Sequence, residues 1–167
     1  MDNLDIEWTR LTEVLQNYAD AFIKEAQNKL GQSGANASGQ LAGTMKPLIE
    51  IGEEEFKISI YLQDYWFYVE NNRKPGKRPP IPAIKEWIEV KGLGTGDDKK
   101  DTSWAWAIAT NIGKYGAKTL PKPFFESTKE DIYKRFENDI MYAVSEDIAA
   151  YVENVLVMYA RMLEGTL

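Results

Sequence analysis

Cysteine and histidine are both absent from the 167 residues. Without Cys there is no disulfide, no thiolate nucleophile and no sulfur ligation of zinc or iron. Without His there is no imidazole base near neutral pH and no nucleophile–imidazole triad. Carboxylates, Lys, Tyr and Ser are the remaining reactive groups. A non-enzymatic protein is therefore expected, with no catalytic residue, metal or cofactor assigned. Long apolar runs are also missing: no stretch of about eighteen residues is apolar throughout. The opening Met-Asp-Asn-Leu-Asp lacks the basic-then-apolar order of a secretory leader. Neither a membrane span nor Sec export is expected.

What is present is ordinary for a water-facing globular chain, at 44% hydrophobic and 28% charged residues. The length suits one domain over residues 1–167 with a core of its own. The net charge of −6 is unevenly placed. Residues 1–72 hold 5 basic and 12 acidic side chains, net −7; residues 73–120 hold 10 and 5, net +5; residues 121–167 hold 5 and 9, net −4. A basic centre between acidic ends suits contacts with further copies or charged neighbours better than long-range attraction to DNA.

Hydrophobic periodicity supplies the elements. Leu4, Trp8, Leu11, Leu15, Tyr18 and Phe22 recur every three or four residues and predict a helix from about Asn3 to Leu30, closed by Gly31. The polar stretch from Gln32 to Gly39 reads as a loop. Between Pro47 and Leu62 the period becomes two, with Ile49 and Ile51, then Phe56, Ile58, Ile60 and Leu62, which predicts an antiparallel hairpin covered by the first helix. Asp64 is a candidate cap for a short helix ending at Asn71-Asn72. Lys74-Pro75-Gly76-Lys77 carries the signature of a type II turn, and Arg78-Pro79-Pro80 should be extended. Pro82 opens a helix with Ile84, Trp87 and Ile88 that ends at Gly92. After a polar loop from Gly94 to Lys100, Thr102 or Ser103 would cap a helix bearing Trp104, Ile108 and Ile112. From Ser127 to Leu163 the stripe continues unbroken and would extend about 55 Å, too long for a compact domain, so either it kinks or breaks at Ser145-Glu146-Asp147, the favoured reading, or it projects to pack on a partner. The fold class is α+β: a long N-terminal helix on a small antiparallel sheet, two or three short helices, and a long C-terminal helix, kinked or continuous.

Some residue patterns suggest chemistry. Glu55-Phe56-Lys57 and Glu89-Val90-Lys91 have the Glu-x-Lys spacing of metal-dependent nucleases, although such triplets arise readily in a charged chain and solvated ion pairs explain them better. Glu53-Glu54-Glu55 reads as a solvated turn. Arg73, Lys74, Lys77 and Arg78 sit on a proline-braced loop beside an aromatic run, Tyr65 to Tyr68. A plain surface loop, a protein contact and a contact to enclosed DNA all fit; the acidic flanks favour protein. Trp87 and Trp104 fall on apolar helix faces and are expected in the core. Trp106 falls off that stripe and is a candidate interface anchor.

Three segments also carry a family resemblance, in order along most of the chain. Ser38-Gly39-Gln40-Leu41-Ala42-Gly43-Thr44-Met45 resembles the segment after the first helix in the tail-completion, or head–tail joining (neck), proteins of tailed bacteriophages. Tyr65 with Val69-Glu70-Asn71-Asn72-Arg73 resembles that family's Tyr-x-x-x-Val-Glu-x-Gly motif, with Asn72 where Gly is usual. Pro123-Phe124-Phe125 resembles its Pro-Phe-aromatic segment before the last helix. The insert from Lys74 to about Thr119 is longer than in short family members. The resemblance implies a non-catalytic structural virion protein, assembled in the host cytoplasm into a six-fold or twelve-fold ring between portal and tail. Its neighbours would be the portal or adaptor ring and tail proteins. In such a ring the loop from Arg73 to Arg78 would face either an acidic flank of the next subunit or the exiting genomic DNA. Two alternatives stay open: a DNA-binding or nuclease accessory of packaging, and a host-directed binding protein absent from particles.

Overall fold

The computed structural model describes residues 5–34, 38–52 and 55–164. The elements in order are α1 (Thr9–Gln32), α2 (Gln40–Gly43), β1 (Lys46–Ile51), β2 (Phe56–Tyr61), α3 (Trp66–Asn71), α4 (Ile81–Val90), α5 (Asp98–Tyr115) and α6 (Phe125–Glu164). The protein is α+β, with long first and last helices and a two-stranded antiparallel sheet, β1 beside β2. Among the described residues no helix is long and apolar enough to cross a membrane. The chain divides into two compact units. The first holds Met1–Ile23, Pro47–Ile60 and Lys129–Leu167; the second holds Lys24–Lys46 and Tyr61–Thr128.

In the first unit the stripe on α1 does what its period demands. Leu11 and Leu15 are buried with Ala143 of α6, and Ile49, Ile51 and Ile58 of the hairpin pack against them. Trp8 meets the Phe56 ring edge-on at 5.0 Å, and Tyr18 meets Phe136 at 5.6 Å. Asn3 and Leu4 lie outside the described residues. Helix α1 begins only at Thr9, after a non-helical segment from residue 5 to Trp8. The reason lies far away in sequence. Trp8 precedes the helix yet has no side-chain acceptor for its free amides. Asp147, 5% exposed, accepts from the Arg10 and Leu11 main-chain N–H groups at 3.0 and 2.9 Å. The residues expected to break α6 thus sit inside a continuous 40-residue helix, about 60 Å long. Asp147 caps a neighbour and opens no new helix.

The second unit repeats the device. Helix α6 starts after Phe124, again a residue that cannot cap. Glu70 at the end of α3, 5% exposed, accepts from the Phe125 and Glu126 N–H groups at 2.8 and 3.1 Å. Phe124 is buried, and Trp66 packs on Phe125 at 5.1 Å. The segment singled out by the resemblance contains the short α2 and buries Leu41, Ala42 and Met45; Gln27 of α1 donates to the Ala42 carbonyl at 2.8 Å. Helix α1 runs past Gly31 and closes at Gly34, whose φ is 65°. Tyr65 stands at the start of α3 with no side-chain cap, so Asp64 does not serve there.

Helices α4 and α5 pack together. Pro82 lies in the first turn of α4, and Gly92 closes it with φ 66°. Asp97 caps α5, accepting from the Lys99 and Lys100 N–H groups, so the helix begins five residues before the expected Thr102–Ser103. The loop between them is fastened by Asp101, which takes the Thr95 N–H at 2.9 Å and hydroxyl at 2.8 Å. Those bonds, the backbone one foremost, hold its carboxyl below the usual range. The core face of α5 is Asp101, Ala105 and Ala109, leaving Trp104 41% and Trp87 of α4 40% exposed. Both tryptophans were expected in the core. Close helix packing needs small side chains here, and the large rings are turned outward.

Candidate interaction surfaces

The basic loop, residues 72–78, is built onto the end of α5. Asn72 has φ 64° and ψ 162°, a conformation that glycine adopts far more readily, and its side-chain amide donates to the Ala117 carbonyl at 3.1 Å and to that of Thr119. The Arg73 carbonyl accepts from Ala117 N–H at 2.8 Å, and Gly76 N–H donates to the Gly113 carbonyl at 2.8 Å. Gly113 in the last turn of α5 and Gly116 just past it make this approach feasible. A Cβ on Gly113 would lie 2.6 Å from Arg78 Cγ, and one on Gly116 would lie 2.7 Å from the Arg73 carbonyl oxygen. The expected type II turn is not formed: Gly76 has φ 140°, against about 80° for that turn, because its N–H reaches across to α5. The segment Arg78-Pro79-Pro80 is extended as expected, with Pro79 buried.

Rings seat the two arginines. Arg73 lies over Tyr68, 4.3 Å from the ring centre, and its guanidinium donates to the Lys77 carbonyl at 3.0 Å. Arg78 lies over Trp106 at 5.5 Å. Lys74, Lys77 and Arg78 are exposed. All five residues singled out from the sequence therefore belong to one surface. Trp106 is 53% exposed as expected, although it supports Arg78 as well as facing outward. The fold adds Lys114, next to Gly113, and Lys118, next to Ala117. A signal for them existed: residues 71–85 and 102–125 together hold eight basic residues and no Asp or Glu.

A second surface lies on α6. Residues 148–163 contain sixteen residues with only Glu153 and Arg161 charged. Ile148, Val152, Leu156, Val157, Tyr159 and Leu163 are all exposed, Leu156 at 64% and Leu163 at 71%. Ile148, Val152, Leu156, Tyr159 and Leu163 recur every three or four residues and share one face of the helix, with Val157 on the opposite side. An apolar stripe of this kind on a helix ordinarily faces a core or a partner. Beside it an open groove of about 960 Å³ is lined by Arg10, Glu146, Tyr151, Val155 and Met158 among others.

The nuclease-like patterns come to less. Lys57 is paired with Glu50 across the hairpin at 3.5 Å, while Glu55 is exposed. Glu53 and Glu54 lie outside the described residues. Glu89 and Lys91 are exposed around the end of α4. Among the described residues no three acidic groups gather as a metal site. Comparison of the chain with known protein families, with characterised proteins and with solved structures finds no match in any of the three.

Proposed function

We propose that this chain is a structural virion protein that forms a ring at the portal–tail junction of a tailed bacteriophage. The observation that carries this reading is the exposed apolar half of α6, residues 148–163. Leaving this much hydrocarbon in water is unfavourable by about 25 cal/mol per Å². Large exposed apolar patches mark surfaces that become covered by a partner. A subunit made to be assembled presents such a surface; a self-sufficient monomer does not. The resemblance of the segments around Leu41, Glu70 and Phe124 to neck proteins supplies the kind of assembly. Glu70 adds weight, since the motif's acidic residue here starts the last helix by accepting two of its free amides.

The partners are further copies of the chain in a ring of six or twelve, with the portal or adaptor ring and tail proteins above and below. Quantitative mass spectrometry of purified particles tests this directly. The expected result is a fixed copy number near one or one half of the portal's. Absence of the protein from particles would reject the reading.

A further inference from the structure

We propose that the surface built from loop 72–78 and the end of α5 binds the phosphate backbone of nucleic acid. It is formed by Arg73, Lys74, Lys77, Arg78, Lys114 and Lys118. The fold concentrates this charge: main-chain bonds from Gly76 to Gly113 and from Ala117 to Arg73 lay one acid-free segment directly on another.

The pairing pattern of the cations points the same way. Some basic groups elsewhere have carboxylate partners, Arg10 with Glu13 and Glu146, Lys57 with Glu50, Lys85 with Asp98 and Lys100 with Asp97, whereas this surface gathers six cations from two acid-free segments. Among the described residues, none of the six on this surface is ion-paired. The two arginines rest on Tyr68 and Trp106, and Lys114 lies 5.7 Å from the Tyr115 ring centre. An aromatic face holds a cation in place without neutralising it, so the charge stays available to an outside anion. The helix dipole favours one or two cations at the end of α5 and does not account for six.

Nucleic acid fits better than an acidic protein for two reasons. The backbone is braced, so little ordering is required for contact, and several neighbouring cations, three of them seated on rings, suit a regularly charged polymer. Exposed Trp106 and Tyr115, 53% and 64% accessible, border the same cations and offer stacking faces to unpaired bases. The inference is independent of how the subunits assemble, because α6 plays no part in it.

The test is fluorescence anisotropy of a labelled thirty-base-pair duplex, and of its single strand, titrated with the full chain at several salt concentrations. The expected affinity falls with salt with a log–log slope of about −3 to −5, as for four to six phosphate contacts. The variant Lys74→Ser/Lys77→Ser/Lys118→Ser should lose about tenfold or more in affinity and lower the slope by about 3. Stronger binding of the single strand would assign the rings to base stacking; stronger duplex binding would assign a backbone contact alone. Both support the inference. A control replaces Lys24, Lys46 and Lys134, all exposed, with Ser. Failure of the wild type to bind at low salt would overturn the inference, as would equal losses in variant and control. So would a triple variant that binds normally but no longer self-associates, which would give the surface to an acidic protein neighbour. Light scattering on the same samples reports assembly separately, so this inference and the ring reading fail independently.

Discussion

Single residues decide where the long helices begin. Asp147 is the sharpest case, because it stands where Trp8 offers no acceptor and serves two amides at once. Asp147→Asn retains one acceptor but places an amide N–H₂ against a backbone donor. A cost of about 1–3 kcal/mol is expected, as for a buried donor left unpaired. Amide exchange at Arg10 and Leu11 should accelerate more than exchange in the middle of α1; unchanged exchange would contradict the capping role. Asp101 makes a prediction in pH. Its folded-state pKa is depressed, first by the Thr95 N–H and then by the Thr95 hydroxyl. The stability this lends is complete above the ordinary carboxylate range and is lost as pH falls through the depressed value. Exchange at the Thr95 amide should therefore rise in acid, and Asp101→Asn should remove that dependence. Gly116 carries a third prediction. With φ 78° and the Arg73 carbonyl 2.7 Å from any added Cβ, Gly116→Ala should cost about 1–3 kcal/mol and release the basic loop from α5. A thermal melt matching wild type would refute it.

At the scale of elements, period and size of side chain set what the sequence could disclose. Helix α1, the hairpin and α6 were legible because Leu11, Leu15, Ile49, Ile58 and Ile132 are large, apolar and regularly spaced. The face of α5 was not, because Ala105 and Ala109 carry little hydrophobic signal beside Trp104 and Trp106. The supposed break in α6 failed for a related reason. Ser145-Glu146-Asp147 resembles a helix start locally, but the acceptor capacity of Asp147 is spent on α1, a contact 136 residues away. Glu70 was visible as part of a motif and its role was not, since capping across sequence leaves no local pattern. The basic surface was half legible: Arg73, Lys74, Lys77, Arg78 and Trp106 stood out, whereas Lys114 and Lys118 join them only through the Gly113 and Gly116 approach. The exposed half of α6 invites its own test. Leu156→Gln/Leu163→Gln removes the two most exposed leucines of that half without disturbing the buried face. Helix content by circular dichroism should persist while self-association measured by sedimentation weakens at least tenfold, since these side chains are already in water in the single subunit. Loss of folding instead would mean that the segment supports its own unit.

For the whole molecule, the two surfaces belong to different units, α6 residues 148–163 to the first and the basic surface to the second. Sites that share no residue and no partner act nearly additively. Separate effects are therefore expected from separate variants. The leucine variant should assemble poorly yet still bind nucleic acid per subunit, with its salt slope unchanged. The lysine variant should assemble normally and lose nucleic-acid binding. The proposed ring would multiply weak contacts, so on that proposal the wild type should hold a long duplex far more tightly than a short one, while the leucine variant should show little such gain. Comparing about fifteen and sixty base pairs for the three proteins measures this. If wild type and leucine variant gain equally with length, binding does not depend on assembly, and the acid–base–acid charge order serves something other than a multivalent grip.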